Sequence, residues 1–252
     1  VTPELRLCSY NLRYAGLDTG ENAWKNRRDG VASVLRFHAP DVVCLQEVWQ
    51  AQLPDLRERL PDYEWVASDA SNGEHTPIGY RPDRFSVVDG GSFSLSETPG
   101  DLHAYDWDAA IPRVTTEATL EEDATGDRFA VVSTHFDHVS GEARRRGADL
   151  LADRLGDRET PAVLAGDFNC TPGDRPYRTL TGAGFRDART AADAPHGPEV
   201  TYNSFEEPQP GKRIDHVFVD GFDVSRFGVL ADLDARARYP SDHFALLADL
   251  TR

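Results

Sequence analysis

Lysine is nearly absent from this 252-residue chain: Lys25 and Lys212 are the only two, and arginine supplies the remaining basic charge. Against 27 basic residues stand 43 acidic ones, giving a formal net charge of −16. Such a charge repels polyanions and argues against broad, nonspecific nucleic-acid binding. The acids are spread evenly and form no tail, so the acidity also fits a surface kept hydrated in concentrated salt. Under that reading salt screens the field, and global charge says little about the substrate.

Cysteine is scarce too. Cys8, Cys44 and Cys170 are odd in number, far apart and without metal-type spacing. That excludes a disulfide framework and fits reduced thiols in a cytoplasmic protein. No run approaches the ~20 apolar residues that cross a bilayer, so no membrane partner is expected. The opening VTPELRLCSYNLRY lacks the basic and apolar regions of a signal peptide. Neither repeats nor a linker break the chain, which reads as one catalytic domain over 1–252 and as a monomer.

Strand-like runs rich in β-branched and aromatic residues recur at 5–11, 41–47, 63–67, 76–81, 85–96, 114–121, 128–136, 161–168, 214–220, 223–230 and 244–250. Helical periodicity is confined to 21–38, a segment starting at Pro54, 140–156 and a short piece around 176–181. Many strands with few helices predict an α/β fold of two packed mixed sheets flanked by helices, a four-layer sandwich. The Pro-, Gly- and Asp-rich segments 97–112 and 187–212 read as long functional loops, and with 68–76 they are where specificity is expected.

The informative residues are polar and sit at the ends of apolar runs. Asn11, Glu47 (after Gln46), His135 (followed by Asp137 and His138), and Asp167 with Asn169 each close one; Asp215–His216 and Asp242–His243 each open one. Strand ends are rigid platforms, and buried carboxylates and imidazoles are costly unless paired or bound to metal. Six such clusters together are hard to explain as surface decoration. The oxygen-rich set suits a hard ion such as Mg²⁺, or Mn²⁺, better than zinc, because His135-x-x-His138 lacks the helical frame of a zinc protease. Metal and imidazolium together suit attack at phosphorus, where charge builds on the phosphoryl oxygens.

Taken in order, SYN (9–11), LQE (45–47), STH (133–135), GDFN (166–169), IDH (214–216) and SDH (241–243) resemble the endonuclease/exonuclease/phosphatase superfamily with its DNase I-like fold. SYNLRY, SLSETP and WDAAIPR (107–113) resemble its uncharacterised metal-dependent hydrolase branch. The resemblance implies a metal-dependent phosphoric-ester hydrolase acting on a phosphodiester or phosphomonoester, a substrate class that includes nucleotides and nucleic acids. A nuclease is the alternative, and a catalytically silent scaffold is a third reading. It implies Glu47 as principal metal ligand with Asn11 beside it and Asp242 near the ion. Asp167 orients or deprotonates the attacking water, and Asn169 binds a phosphate oxygen. His243, paired with Asp215, stabilises phosphoryl oxygens or acts in acid–base chemistry, and His135 is a leaving-group acid or phosphate donor.

Other residues leave two readings open. Arg113 contacts phosphate or forms a salt bridge. Asp137 and His138 line the substrate pocket or make a local turn, and His216 flanks the site. Tyr105 and Trp107 stack on a base or sugar, or pack within their loop. Arg144, Arg145 and Arg146 read as a solvated helix face, and Cys170 as packing. Arg13 and Val48-Trp49 stand where abasic-site endonucleases of the superfamily carry an acid and a lysine, which counts against DNA repair.

Overall fold

Period-two alternation decides which side of each strand meets which layer. The computed structural model describes residues 5–49, 51–68, 74–156 and 158–252. Its first half runs β1 (Leu5–Asn11), α1 (Trp24–His38), β2 (Val42–Gln46), β3 (Val48–Trp49), α2 (Gln52–Arg59), β4 (Glu64–Val66), β5 (Glu74–His75), β6 (Ile78–Tyr80) and β7 (Phe85–Ser94). The second runs β8 (Val114–Glu122), β9 (Arg128–His135), α3 (Gly141–Gly156), β10 (Ala162–Asp167), α4 (Arg175–Gly182), β11 (Arg186–Asp187), α5 (Ala188–Ala191), β12 (Asp215–Asp220), β13 (Asp223–Leu230) and β14 (Ala245–Thr251).

Two six-stranded sheets result, in the orders β13-β14-β1-β2-β6-β4 and β11-β12-β10-β9-β8-β7. Both are mixed. β1 is parallel to β2 and antiparallel to β14, and β10 is parallel to β9 and antiparallel to β12. Leu5, Leu7, Val42 and Cys44 of one sheet meet Val131, Val163, Ala165 and Val217 of the other in the central core. The alternate residues Cys8, Tyr10, Val43 and Leu45 face α1 and α2. Ala130, Val132, Leu164 and Phe218 face α3 and α4. This is the four-layer α/β sandwich expected from the sequence.

Local rules set the helix ends. α1 stops where Ala39 turns left-handed (φ 45°) ahead of Pro40. α3 is capped by Ser140, whose hydroxyl accepts from the Ala143 amide at 3.1 Å. α2 begins at Gln52, two residues before the expected start at Pro54. A proline in the first turn forfeits nothing, because amides there have no intrahelical acceptor. The sequence reading also missed the small β3–β5 ribbon, too short to show periodicity. Residues 69–73 of the expected 68–76 specificity loop lie outside the described residues.

One close approach fixes the central strand. A Cβ on Gly166 of β10 would lie 1.9 Å from the Thr134 carbonyl oxygen of neighbouring β9. Gly166→Ala must therefore push apart the two strands that carry His135 and Asp167. We expect it to lower stability by about 2 kcal/mol or more, read as a fall in the urea midpoint at unchanged slope; an unshifted midpoint would show that the strands separate freely.

Candidate active site

The alternation that fills the core also builds the site. Leu5 and Leu7 lead to Asn11 on the inward face of β1, Phe129 and Val131 to His135 on β9, and Val163 and Ala165 to Asp167 on β10. On β12, Asp215 precedes inward Val217 and Val219. At one end of the sandwich the inward residues therefore change from apolar to ionisable. Glu47 and Asn169 leave the strand regime altogether, with left-handed φ of 56° and 47°. That conformation is costly for residues with a Cβ and turns both side chains toward the same cleft.

Asp167 is the hub. Its Oδ2 accepts from Asn11 Nδ2 at 3.0 Å and lies 3.5 Å from His135 Nε2 and 3.8 Å from His243 Nε2. Its Oδ1 accepts from the Asn169 amide at 2.9 Å, which closes the GDFN turn. Asn11 Nδ2 also donates to Glu47 Oε1 (3.1 Å), while Glu47 Oε2 accepts from the Tyr14 amide at 2.8 Å. Asn169 Nδ2 donates to the Phe136 carbonyl at 3.0 Å.

Each histidine is backed by its own carboxylate. His243 Nδ1 lies 2.9 Å from Asp215 Oδ2, and His135 Nδ1 lies 2.5 Å from Glu74 Oε1. Burial pulls down the pKa of the His243 imidazolium, but Asp215 overrides it and lifts it well above the ordinary histidine value. Burial and Arg113 likewise pull His135 down, and Glu74 with Asp167 raise it above the usual value. Burial, reinforced by Asp215, raises Asp167 against the lowering pull of both imidazoles. Glu74 is held below the carboxylate range because His135 and Arg113 outweigh its burial.

Glu74 is the site residue that sequence reasoning missed. It sits on a two-residue strand after a polar stretch, where nothing in the pattern marks it. Its contacts also change the reading of Arg113. That guanidinium is 4% exposed and meets Glu74 Oε1 (2.9 Å), His138 Nδ1 (2.6 Å), His135 Nδ1 (3.1 Å) and Asp137 Oδ2 (3.5 Å), all groups of the protein itself. Asp137 makes the local turn, accepting the amides of Val139 and Ser140, while His138 lines the cleft.

Asp242 lies in the same cleft, 3.3 Å from Arg13 Nη1, and burial raises its pKa. His216 points away, behind the site, where Nε2 donates to the Cys170 carbonyl at 3.0 Å and Nδ1 faces the buried Asp187. It braces the turn carrying Asn169 from the outer face of the sheet. Tyr105 is exposed and the Trp107 indole donates to Glu97, so neither lines the cleft. Arg145 and Arg146 pair with Glu142 on α3, as a solvated face would.

The cleft measures about 670 Å³ and is walled by Tyr14, Trp49 and Tyr202 besides the ionisable groups. Ligand atoms of Glu47, His135 and Asp167 lie within 4.8 Å of one another, as do those of Asp167, Asp215 and His243. Clustered carboxylate oxygens beside an Asn amide are a donor set that fits a hard divalent ion. Among the described residues, no helix is long and apolar enough to cross a membrane.

Known structures share this architecture over the whole chain. The endonuclease/exonuclease/phosphatase from Bacteroides vulgatus superposes with a TM-score of 0.92 at 34% identity, covering 98% of each chain. The Bacteroides thetaiotaomicron mannosyl-6-phosphatase gives 0.92 at 32% identity, covering 99% of this chain and all (100%) of that one. Among curated relatives, Drosophila melanogaster protein angel is 25% identical over 187 residues, covering 70% of this chain but 52% of that protein. Human nocturnin is 22% identical over 294 residues, 99% of this chain and 65% of its own length. The chain thus spans about half to two thirds of these curated relatives. Residues 8–243 match the sequence profile of the Endonuclease/Exonuclease/phosphatase family, and the chain belongs to that family.

Proposed function

We propose that this chain is a Mg²⁺- or Mn²⁺-dependent hydrolase of small phosphoric esters, a single catalytic domain working as a cytoplasmic monomer. One observation carries the reading: two histidine–carboxylate pairs, His135–Glu74 and His243–Asp215, converge on one oxygen of Asp167. A scaffold has no reason to bury that much opposed charge in one place.

Glu47, with Asn11 and Asp242 nearby, would hold the divalent ion, which when bound supplies Lewis-acid stabilisation of phosphoryl charge. Asp167 orients the attacking water and takes its proton. Asn169 donates to a phosphoryl oxygen. His243, kept cationic by Asp215, stabilises charge on the oxygens. His135, kept protonated by Glu74, gives its Nε2 proton to the departing alkoxide. Reduced, buried Cys8, Cys44 and Cys170 support the cytoplasmic placement.

A small ester is favoured because the cleft offers a polyanion little charge. Every Lys and Arg of the sequence lies among the described residues. Of those lining the cleft, Arg13 is paired with Asp18 and Asp242, and Arg113 with Glu74, leaving Lys212. A nucleic-acid strand needs several free cations along its backbone. The second reading, a nuclease, draws on distant relatives such as the Emericella nidulans CCR4-Not 3′-5′-exoribonuclease subunit Ccr4, 20% identical.

Hydrolysis of an aryl phosphodiester and the matching monoester, at low and molar salt, tests this. We expect turnover with Mg²⁺ or Mn²⁺, none with EDTA, and a loss of about 10³-fold in kcat for Asp167→Ala. Inhibition of that turnover by a single-stranded oligonucleotide at working salt would instead favour the nuclease, absent turnover the scaffold, and turnover that survives EDTA would refute the metal dependence. The pH profile gives a second check. Glu74 raises the His135 pKa, so Glu74→Gln lowers it and moves the alkaline limb of kcat to lower pH. We expect kcat at pH 8 to fall at least ~10-fold, while an unmoved limb would show that His135 is not the leaving-group acid.

A further inference from the structure

Arg113 is enclosed by acceptors, and one of them is unusual. A guanidinium has only donors and cannot lose its proton, so the 2.6 Å contact from Nη2 to His138 Nδ1 requires that nitrogen to be a bare acceptor. The imidazole is then neutral and carries its proton on Nε2. Arg113 cannot turn away to relax this. Its Nη1 is tied to Glu74 and passes 3.1 Å from His135 Nδ1, whose own proton goes to the same Glu74 oxygen; its Nε faces Asp137, and Asp137 is itself pinned by the amides of Ala110, Val139 and Ser140. His138 lines the cleft and is exposed there, and with Nδ1 taken by Arg113 its remaining polar atom is Nε2.

We propose that Arg113 locks His138 as a neutral Nε2–H donor, and that this N–H recognises an uncharged hydroxyl on the alcohol part of the substrate, a sugar-like polyol. The recognition half rests on the hydrolase reading above. His138 stands three residues beyond His135; both rings meet Arg113 through Nδ1, at 2.6 and 3.1 Å, and both line the cleft. A neutral donor gains little from a second phosphate, whereas a hydroxyl satisfies it fully. A pocket built to bond a hydroxyl also rejects an analogue lacking one far better than an apolar wall does. The groups facing His138 are Arg113, Asp137, His135 and Glu74; the ring is exposed on its cleft side, and partial desolvation together with Arg113 keeps its pKa below the ordinary value.

The tautomer can be read without activity, from the ¹⁵N shifts of the His138 ring between pH 5.5 and 8. We expect a protonated Nε2 and a bare Nδ1 throughout in the native protein, and ordinary titration with mixed tautomers in Arg113→Met. A protonated Nδ1, or an imidazolium at pH 7, overturns the lock.

Recognition is read from KM. His138→Leu should raise KM about tenfold for a hexose 6-phosphate and leave KM for phenyl phosphate, which has no hydroxyl, unchanged. His138→Gln, which keeps a donor, should restore part of the hexose affinity. Equal effects on both esters overturn the recognition, as does a dinucleotide losing more affinity than the hexose ester. If no ester is turned over, the hydrolase reading fails separately. Recognition is then decided by whether hexose 6-phosphate shifts the His138 resonances more than phenyl phosphate does; equal or absent shifts refute it.

Discussion

Asp167 and Asp215 are register partners on adjacent antiparallel strands, and both carboxylates are buried on the inward face of one sheet. Two like charges in that position are unfavourable by desolvation and by mutual repulsion. Everything around them reads as compensation. His243 bridges the pair, His135 approaches Asp167 from the parallel neighbour, and Asn11 donates from the opposite sheet. His135 then needs Glu74, Glu74 needs Arg113, and Arg113 is stabilised by Asp137. The open end of the sandwich is thus a lattice of alternating charge. Glu47 and Asp242 leave it with an acidic excess that a divalent cation would neutralise.

How much of this was legible follows from what periodicity can carry. His135, Asp167 and Asp215 continue the inward parity of apolar strands, so a pattern that locates the core locates them as well. Their partners across the sandwich, Asn11 and His243, sit at the ends of equally plain runs. Glu47 is out of parity and reaches the cleft only through a left-handed backbone, yet it follows directly on a visible strand. Glu74 and Asp187 had no such signal. Each lies on a two-residue strand whose position is decided by tertiary pairing, β5 with β3 and β11 with β12. Missing Glu74 also hid the environment of Arg113, because a guanidinium looks available for phosphate until its acid is found. His216 follows directly on Asp215, but its parity puts it on the outer face of the sheet, against the Cys170 carbonyl and Asp187.

The backbone around the metal end is held by a different device. Arg27 on α1 is buried and donates to four carbonyl oxygens: Asn22 (2.6 Å), Leu12 (2.8 Å), Pro240 (2.9 Å) and Arg13 (3.0 Å). Trp24 and Phe205 stack on its guanidinium. One side chain therefore joins the end of β1, just past Asn11, to the segment just before Ser241-Asp242-His243. Ser241 closes the same junction by donating to the Asn11 carbonyl at 2.7 Å. Lysine could not replace this, since a point charge lacks the planar fork that reaches three segments at once.

The choice of carbonyls over a carboxylate has an electrostatic reason. A buried guanidinium matched to an acid would add one more carboxylate beside Asp242, whose ionisation burial and Glu47 already disfavour. Carbonyl dipoles solvate the cation without adding net negative charge, so the positive field of Arg27 stays available to Asp242. The same fork steadies the backbone at Arg13, which adopts a left-handed φ of 60° immediately after the strand. Strained residues at Arg13, Glu47 and Asn169 each lie where a strand must release a polar side chain into the cleft. Each is held by a hydrogen bond: from Arg27 to the Arg13 carbonyl, from the Tyr14 amide to Glu47, and from the Asn169 amide to Asp167. The rigidity of the site therefore comes from the polar contacts at its rim as much as from the apolar core beneath it.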